Sequence, residues 1–262
     1  MLLAIDAGNT NTVFALFVNG TILGAWRSST NAQRTADEYA VFLRGVFQEK
    51  DLHLHGIKAA IIGSVVPDAN FNLVRLCRDH LKCEPLMVGT PGVDPGIKVL
   101  LDRPEDIGAD RIINAVGGAM AHKPPLLLID FGTATTFDVV DADGNYCGGA
   151  IAPGINLSLQ ALHFAAAKLP RIGIAPTERV IGKNTNDAIR SGIYWGYVGL
   201  IEGMIARIKR EFGAPMTVVA TGGLSHLFAR AVPGIDHLDD HLTLRGLCEI
   251  HTRACARQAG EA

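Results

Sequence analysis

Residues 2–24 and 126–148 repeat one another. With an offset of 124, "LLAIDAGNTNTVFALFVNGTILG" falls on "LLLIDFGTATTFDVVDADGNYCG". Leu2, Leu3, Ile5, Asp6, Gly8, Thr12, Gly20 and Gly24 meet the same residue types at Leu126, Leu127, Ile129, Asp130, Gly132, Thr136, Gly144 and Gly148. Each copy reads as a strand, D-x-G-x-x-x-T, a second strand, a turn and a third strand. A chain with this repeat is expected to fold as two similar halves, each opening with a hairpin whose tip carries an aspartate and a glycine. Boundaries of 1–120 and 121–262 divide the 262 residues accordingly.

A buried strand has little use for a carboxylate at its end, and here both copies carry one. The combination suits phosphate. Glycine after the aspartate lets backbone N–H groups approach an anion closely. Small hydroxyl residues such as Thr133, Thr135 and Thr136 add donors without bulk. A carboxylate beside phosphates makes sense only with a cation between them, which makes Asp130 a candidate cation ligand. Two such hairpins facing each other would clamp one polyphosphate.

Other nucleotide signatures are missing. No two glycines stand two residues apart, so a G-x-G-x-x-G fingerprint is excluded. "TERVIGKNT" has the Gly182-Lys183 of a P-loop, but Thr177 stands where the earlier glycine is needed and Asn184 where Ser or Thr is needed.

Composition narrows the partners. Apolar residues make up 48% and charged residues 19%, as in a compact globule, and a net charge of -2 without a basic run argues against nucleic acid. "MLLAIDAG" lacks the cationic start of a signal peptide. No apolar run approaches the roughly 20 residues of a membrane span. Cys77, Cys83, Cys147, Cys248 and Cys255 include no C-x-x-C pair and read as reduced thiols of a cytoplasmic protein. His53-x-His55 and His237/His241 lack complete ligand sets and read as solvated surface.

Between the repeats the patterns alternate, which implies an α/β fold. Helical spacing is expected from Thr35, a candidate cap, through Lys50, and again over "NFNLVRLCRDHL", "GADRIINAVGGAMAHK" and "NLSLQALHFAAAKL" (residues 156–169). A long helix is expected from about Thr185 to Gly213. Residues 83–104, rich in Pro and Gly, read as a connecting loop, and "MTVVATGGLSHLFARA" as strand, turn and helix. Within the long helix, Gly192, Gly196, Gly199 and Gly203 share one face. Each costs about 1 kcal/mol relative to alanine. They are expected to admit another helix, either of this chain or of a second copy.

Two D-x-G hairpins followed by a strand ending in "ATGG" resemble the acetate and sugar kinase/Hsp70/actin superfamily. "IDAGNTNT", "IGADR", "IDFGTATTFD", "GGAIAPG", Asn184-Thr185 and "ATGG" occur in the order seen in type III pantothenate kinases. That resemblance implies two ribonuclease-H-like domains with a nucleotide cleft between them, and phosphorylation of pantothenate by ATP with Mg2+. It implies a first phosphate loop of Asp6, Ala7, Gly8 and Asn9, continuing through Thr10, Asn11, Thr12 and Val13, with Thr133 also touching ATP. Gly108, Ala109, Asp110 and Arg111 would hold pantothenate, joined by Thr185, and Asp110 would accept the hydroxyl proton. Asp130 would bind a monovalent cation, K+ or NH4+. The family forms homodimers. Leu101 stands where members often carry tyrosine. This leaves open another small-molecule kinase or an exopolyphosphatase of the superfamily, or a nucleotide-dependent regulator without turnover. An aspartate in a first helical turn is also commonplace. That position is expected to stabilise the carboxylate and lower its basicity.

Overall fold

The computed structural model describes residues 1–165, 170 and 172–260. The chain forms two compact units, residues 1–98, 102–120 and 241–262, and residues 99–101 and 121–240.

In the first unit, β1 (Leu2–Ala7), β2 (Asn11–Val18) and β3 (Thr21–Ser29) form an antiparallel meander. Asn19 and Gly20, both at positive φ, make its second turn. Strand β4 (Ala59–Ser64) runs parallel to β1, and β5 (Pro85–Met87) parallel to β4. The sheet order is β3-β2-β1-β4-β5. Strand β5 gives order to part of the segment expected to be loop.

Both faces of this sheet are covered, which is why β1 and β4 read as unbroken apolar runs. Side chains alternate across a strand. Leu3, Ile5, Phe14, Leu16 and Ile62 therefore point to one side, where they pack with Tyr39, Leu43 and Phe47 of α1 (Ala36–Gln48) and Leu73 of α2 (Pro67–Arg75). Helix α1 starts at a capping box: Thr35 Oγ1 accepts the Glu38 N–H, and Glu38 accepts the Thr35 N–H. Helix α2 continues into one wide turn, Leu76–Leu81. Ala4, Ala15, Phe17 and Ile61 point the other way, onto Ile113 and Val116 of α3 (Ala109–Ala121) and Leu244, Leu247 and Ile250 of α7 (Leu242–Gly260).

Two glycines let α3 and α7 touch backbone to backbone. A Cβ on Gly117 would overlap the Leu242 carbonyl oxygen, and one on Gly246 would overlap that of Ile113. Thr243 Oγ1 donates to the buried Asn114 at 2.6 Å. The last helix of the chain thereby fixes α3, whose first turn carries Asp110.

The second unit repeats the topology. Strands β6 (Leu126–Phe131), β7 (Ala134–Val140) and β8 (Tyr146–Pro153) form the meander; β9 (Thr217–Thr221) and β10 (His237–Leu238) extend it in parallel. The order is β10-β9-β6-β7-β8, the first sheet read backwards. Leu127, Ile129, Phe131, Val218 and Ala220 pack against α5 (Thr185–Phe212) and α6 (Ser225–Ala229). Helix α4 (Ile155–Ala165) follows β8; the rest of the helix expected there, residues 166–169, lies outside the described residues.

Candidate active site

Each unit presents its D-x-G hairpin at the carboxyl end of its parallel strands, the end where open α/β sheets place ligands. In the first unit Asp6 lies opposite Val13, and Ala7 opposite Thr12. Gly8 donates its N–H to the Asn11 carbonyl (3.0 Å) and Thr30 donates to that of Thr10 (2.9 Å). The tip residues Asn9, Thr10 and Asn11 are exposed. Thr12 is not; it is fully buried, and its hydroxyl meets that of Thr30 at 2.9 Å. Thr30 gives its proton to the Gly8 carbonyl (2.6 Å), so Thr12 is the donor in the pair. The geometry makes Thr12 and Thr30 supports that hold the tip from behind.

The second hairpin is one residue tighter. Asp130 lies opposite Thr136 and Phe131 opposite Thr135, and Gly132 donates to the Ala134 carbonyl at 3.0 Å. The partner of Thr12 in space is therefore Thr135, also buried, and not Thr136 as the ungapped repeat suggests. Thr133 is exposed at the tip. Its carbonyl accepts the N–H of Gly154 (3.1 Å), and a Cβ on Gly154 would overlap that same oxygen. The glycine of "GGAIAPG" is thus needed where α4 begins against the hairpin.

Directly opposite residues share a sheet face. One face at this end holds Asp130, Thr136 and, on β9, Thr221. Thr136 Oγ1 donates to Asp138 (2.8 Å), a fully buried carboxylate that also accepts from Tyr146 (2.9 Å). With its proton committed, the Thr136 hydroxyl can only accept on its other side. That donor set is all oxygen and suits a hard cation. Among the described residues no group of three or more His, Cys, Asp and Glu could hold a metal by itself.

Asp110 stands at the second position of α3. Gly108 lies against Val65, the residue after β4, and Val65 donates to the Ala7 carbonyl at 3.0 Å. The "GADR" turn and the first hairpin therefore share one end of one sheet. Asp110 Oδ1 accepts the Arg111 N–H (2.8 Å) and folds over Gly108, where a Cβ would come within 2.6 Å of it. Burial pushes the Asp110 carboxyl above the usual carboxylate range, against the opposing pull of the Arg111 N–H and guanidinium. This corrects the expectation of lowered basicity at a helix start: desolvation outweighs the helix end.

Thr185 is exposed at the first position of α5, which Asn184 caps by accepting the Asp187 N–H at 2.9 Å. Asp6 to Val13 and Gly108 to Arg111 thus lie in the first unit, and Asp130, Thr133 and Thr185 in the second. Leu101 is half-buried over Gly148 of β8. Sequence reasoning missed Thr30 and the particular need for Gly154, although "GGAIAPG" signals the second.

Residues 2–207 match the family described as type III pantothenate kinase. The chain belongs to that family. It is 62% identical over 253 residues to a type III pantothenate kinase of Paramagnetospirillum magneticum, covering 97% of each chain. Among solved structures it is similar to a Campylobacter jejuni protein named as a Baf family transcriptional activator (TM-score 0.59, 17% identity, 97% of this chain and 99% of that one). It is also similar to a Sinorhizobium meliloti protein named as a 2-dehydro-3-deoxygalactonokinase (TM-score 0.58, 13% identity, 97% and 96%). At those identities the likeness shows fold alone, that of the actin-like ATPases and sugar kinases.

Proposed function

We propose that this protein is a pantothenate kinase, which transfers the γ-phosphoryl group of ATP to the 4′-hydroxyl of pantothenate in the first step of coenzyme A biosynthesis. The observation that carries the reading is near-full-length identity with proteins named for that activity. The geometry favours Asp110 as the base. Asp110 is half-buried and of raised basicity, and it sits beside the first hairpin at one sheet end. It takes the hydroxyl proton as the oxygen attacks, and Gly108, Ala109 and Arg111 position the substrate around it.

ATP supplies the phosphoryl group, and Mg2+ neutralises charge on its oxygens. Phosphoryl transfer depends mainly on positioning and charge. The loop from Asp6 to Val13 and Thr133 orient the phosphates, with Thr12 holding the first tip from behind. Asp130 holds a monovalent cation, K+ or NH4+, with the Thr136 hydroxyl as a second oxygen. All five cysteines are free, which supports the cytoplasm as the place of action. No helix among the described residues is long and apolar enough to cross a membrane.

The working form is a homodimer in this reading. Gly192, Gly196 and Gly199 are exposed, and a Cβ on any of them would meet nothing within 4 Å. Of the four expected to admit another helix, only Gly203 has a neighbour, its own Arg207. No intrachain contact among the described residues explains the other three. Leu157, Leu162 and Phe164 of the adjoining α4 are exposed as well, Phe164 at 78%. A second copy covering α5 would account for both and could bring its own Thr185 to the substrate.

Incubating the pure protein with Mg-ATP, K+ and a panel of hydroxylated metabolites tests the function. Phosphopantothenate and ADP in equal amounts are expected. ADP formed only with another alcohol, or with none, overturns the substrate assignment.

A further inference from the structure

Helix α5 passes beneath the second hairpin and presents Tyr197 to it. The ring is buried among Phe131 and Phe228, with centroids 6.5 and 5.0 Å away, where phenylalanine would pack equally well. A hydroxyl in such a place costs stability unless it is bonded. The Tyr197 hydroxyl is hydrogen-bonded to Thr135 Oγ1, itself buried, and the Ile155 N–H at the start of α4 acts on the same oxygen. One hydroxyl therefore ties α5 to β7, beside the start of α4. Two residues before Thr135 is Thr133, whose carbonyl takes the N–H of Gly154, the neighbour of Ile155. The exposed tip is thus held on one flank by the Tyr197–Thr135 bond and on the other by Gly154, next to Ile155.

The first hairpin solves the same problem with different residues. Thr12, the spatial counterpart of Thr135, bonds Thr30, which bonds the Gly8 carbonyl. The fully buried Tyr39 of α1 stands behind Thr12, close enough for the Thr12 hydroxyl to act on that of Tyr39, although the two fall outside hydrogen-bonding geometry. A buried threonine backed by a tyrosine recurs at the same place in both hairpins, which marks that place as one that has to be held. We propose that Tyr197 is a positioning residue for nucleotide binding: its hydroxyl sets the angle of the 132–134 tip that a phosphate meets. The proposal rests on the kinase reading above.

The test is calorimetric binding of a non-hydrolysable Mg-ATP analogue, without pantothenate, to the full chain. Tyr197→Phe is expected to weaken binding by about 3–10-fold, the worth of one lost hydrogen bond. It is also expected to raise KM for ATP while leaving KM for pantothenate unchanged, a split that general loosening would not produce. Thr135→Val removes the other partner and should match it, and the double variant should be no worse than either. Thr135→Ser keeps the hydroxyl and should bind as the wild type does. Tyr194→Phe, on the same helix and stacked on the same Phe228, controls for the aromatic cluster. If Tyr197→Phe is insoluble, Thr135→Val carries the test. Affinity within about twofold of wild type in Tyr197→Phe, or an equal loss in Tyr194→Phe, overturns the proposal and leaves the kinase reading standing. A wild type that binds no nucleotide overturns both.

Discussion

Gly222 is pressed against Asp130. A Cβ on Gly222 would fall 2.6 Å from Asp130 Oδ1 and 2.7 Å from the Phe131 backbone nitrogen and oxygen, and the residue holds φ at +92°. The glycine after β9 and the aspartate ending β6 belong to one piece of geometry, because the parallel register sets Thr221 beside Asp130. No side chain can stand between them.

Gly222→Ala is therefore expected to damage the site more than the fold. The strained backbone and the clash cost about 1–3 kcal/mol, which lowers the melting temperature without unfolding the domain. Displacing Asp130 should reduce kcat at least tenfold, about 1.4 kcal/mol in the barrier. Circular dichroism and a coupled ADP assay on one preparation give both numbers. Wild-type turnover in a soluble variant would show that the contact does not matter to catalysis.

Asp110→Asn should remove the base. General-base loss typically lowers rate 10²–10⁴-fold, while binding of an ATP analogue stays intact. A variant keeping more than about a tenth of wild-type turnover would falsify the assignment.

The same carboxyl gives a pH prediction in two parts. Burial raises Asp110 above its unfolded value. A raised carboxyl is protonated, and useless as a base, as pH falls through its folded value. The acid limb of kcat/KM should therefore lie above that of an ordinary carboxylate, and should vanish in Asp110→Asn. Stability runs the other way. The folded state favours the protonated form, so that contribution is full below the unfolded value and is lost as pH rises through the folded one. Asp110→Asn should melt no lower than wild type at pH 8, and any advantage should disappear in acid. A variant less stable at pH 8 would show that the carboxylate serves the fold.

Much of this was legible in the residues. The repeat predicted two like sheets with like hairpins; Asn19-Gly20 predicted the turn, and Thr35 the cap of α1. What stayed hidden depends on contacts distant in sequence. An ungapped comparison pairs Thr12 with Thr136, because it cannot see that one tip is a residue shorter. The resemblance names Asp110 as the base, but its raised basicity stays hidden until its burial is known. Tyr197 is one apolar position among several on α5, and only its neighbour Thr135 gives the hydroxyl meaning. Gly117 and Gly246 announce nothing until α7 lies across α3.

Asp130→Ala is expected to abolish activation by K+. The carboxylate shares its face with Thr136, whose proton is spent on Asp138, so the pair can only accept. Without Asp130 the cation loses its anchor and the phosphates a counter-charge. Rates in Na+, K+ and NH4+ buffers decide the matter. Equal wild-type rates in all three would remove the monovalent-cation role.

The bare glycine face gives the last prediction. Three exposed glycines cost α5 about 1 kcal/mol each relative to alanine, and nothing within 4 Å offsets that loss. A second α5 meeting the first across a two-fold axis would, since such an interface sets each patch on its own copy. Gly199 is near the middle of the stripe. Gly199→Leu would hold the helices apart; overpacking costs about 1–3 kcal/mol per site, and symmetry counts it twice. The variant is expected to be monomeric and to lose activity with the dimer, although Gly199 lies on the face of α5 opposite Tyr197 and the hairpin. Light scattering beside the kinase assay reads both. A wild type that is monomeric and fully active at micromolar concentration would end the hypothesis. A variant that stays dimeric would mean that the copies meet elsewhere, and the stripe would need another explanation.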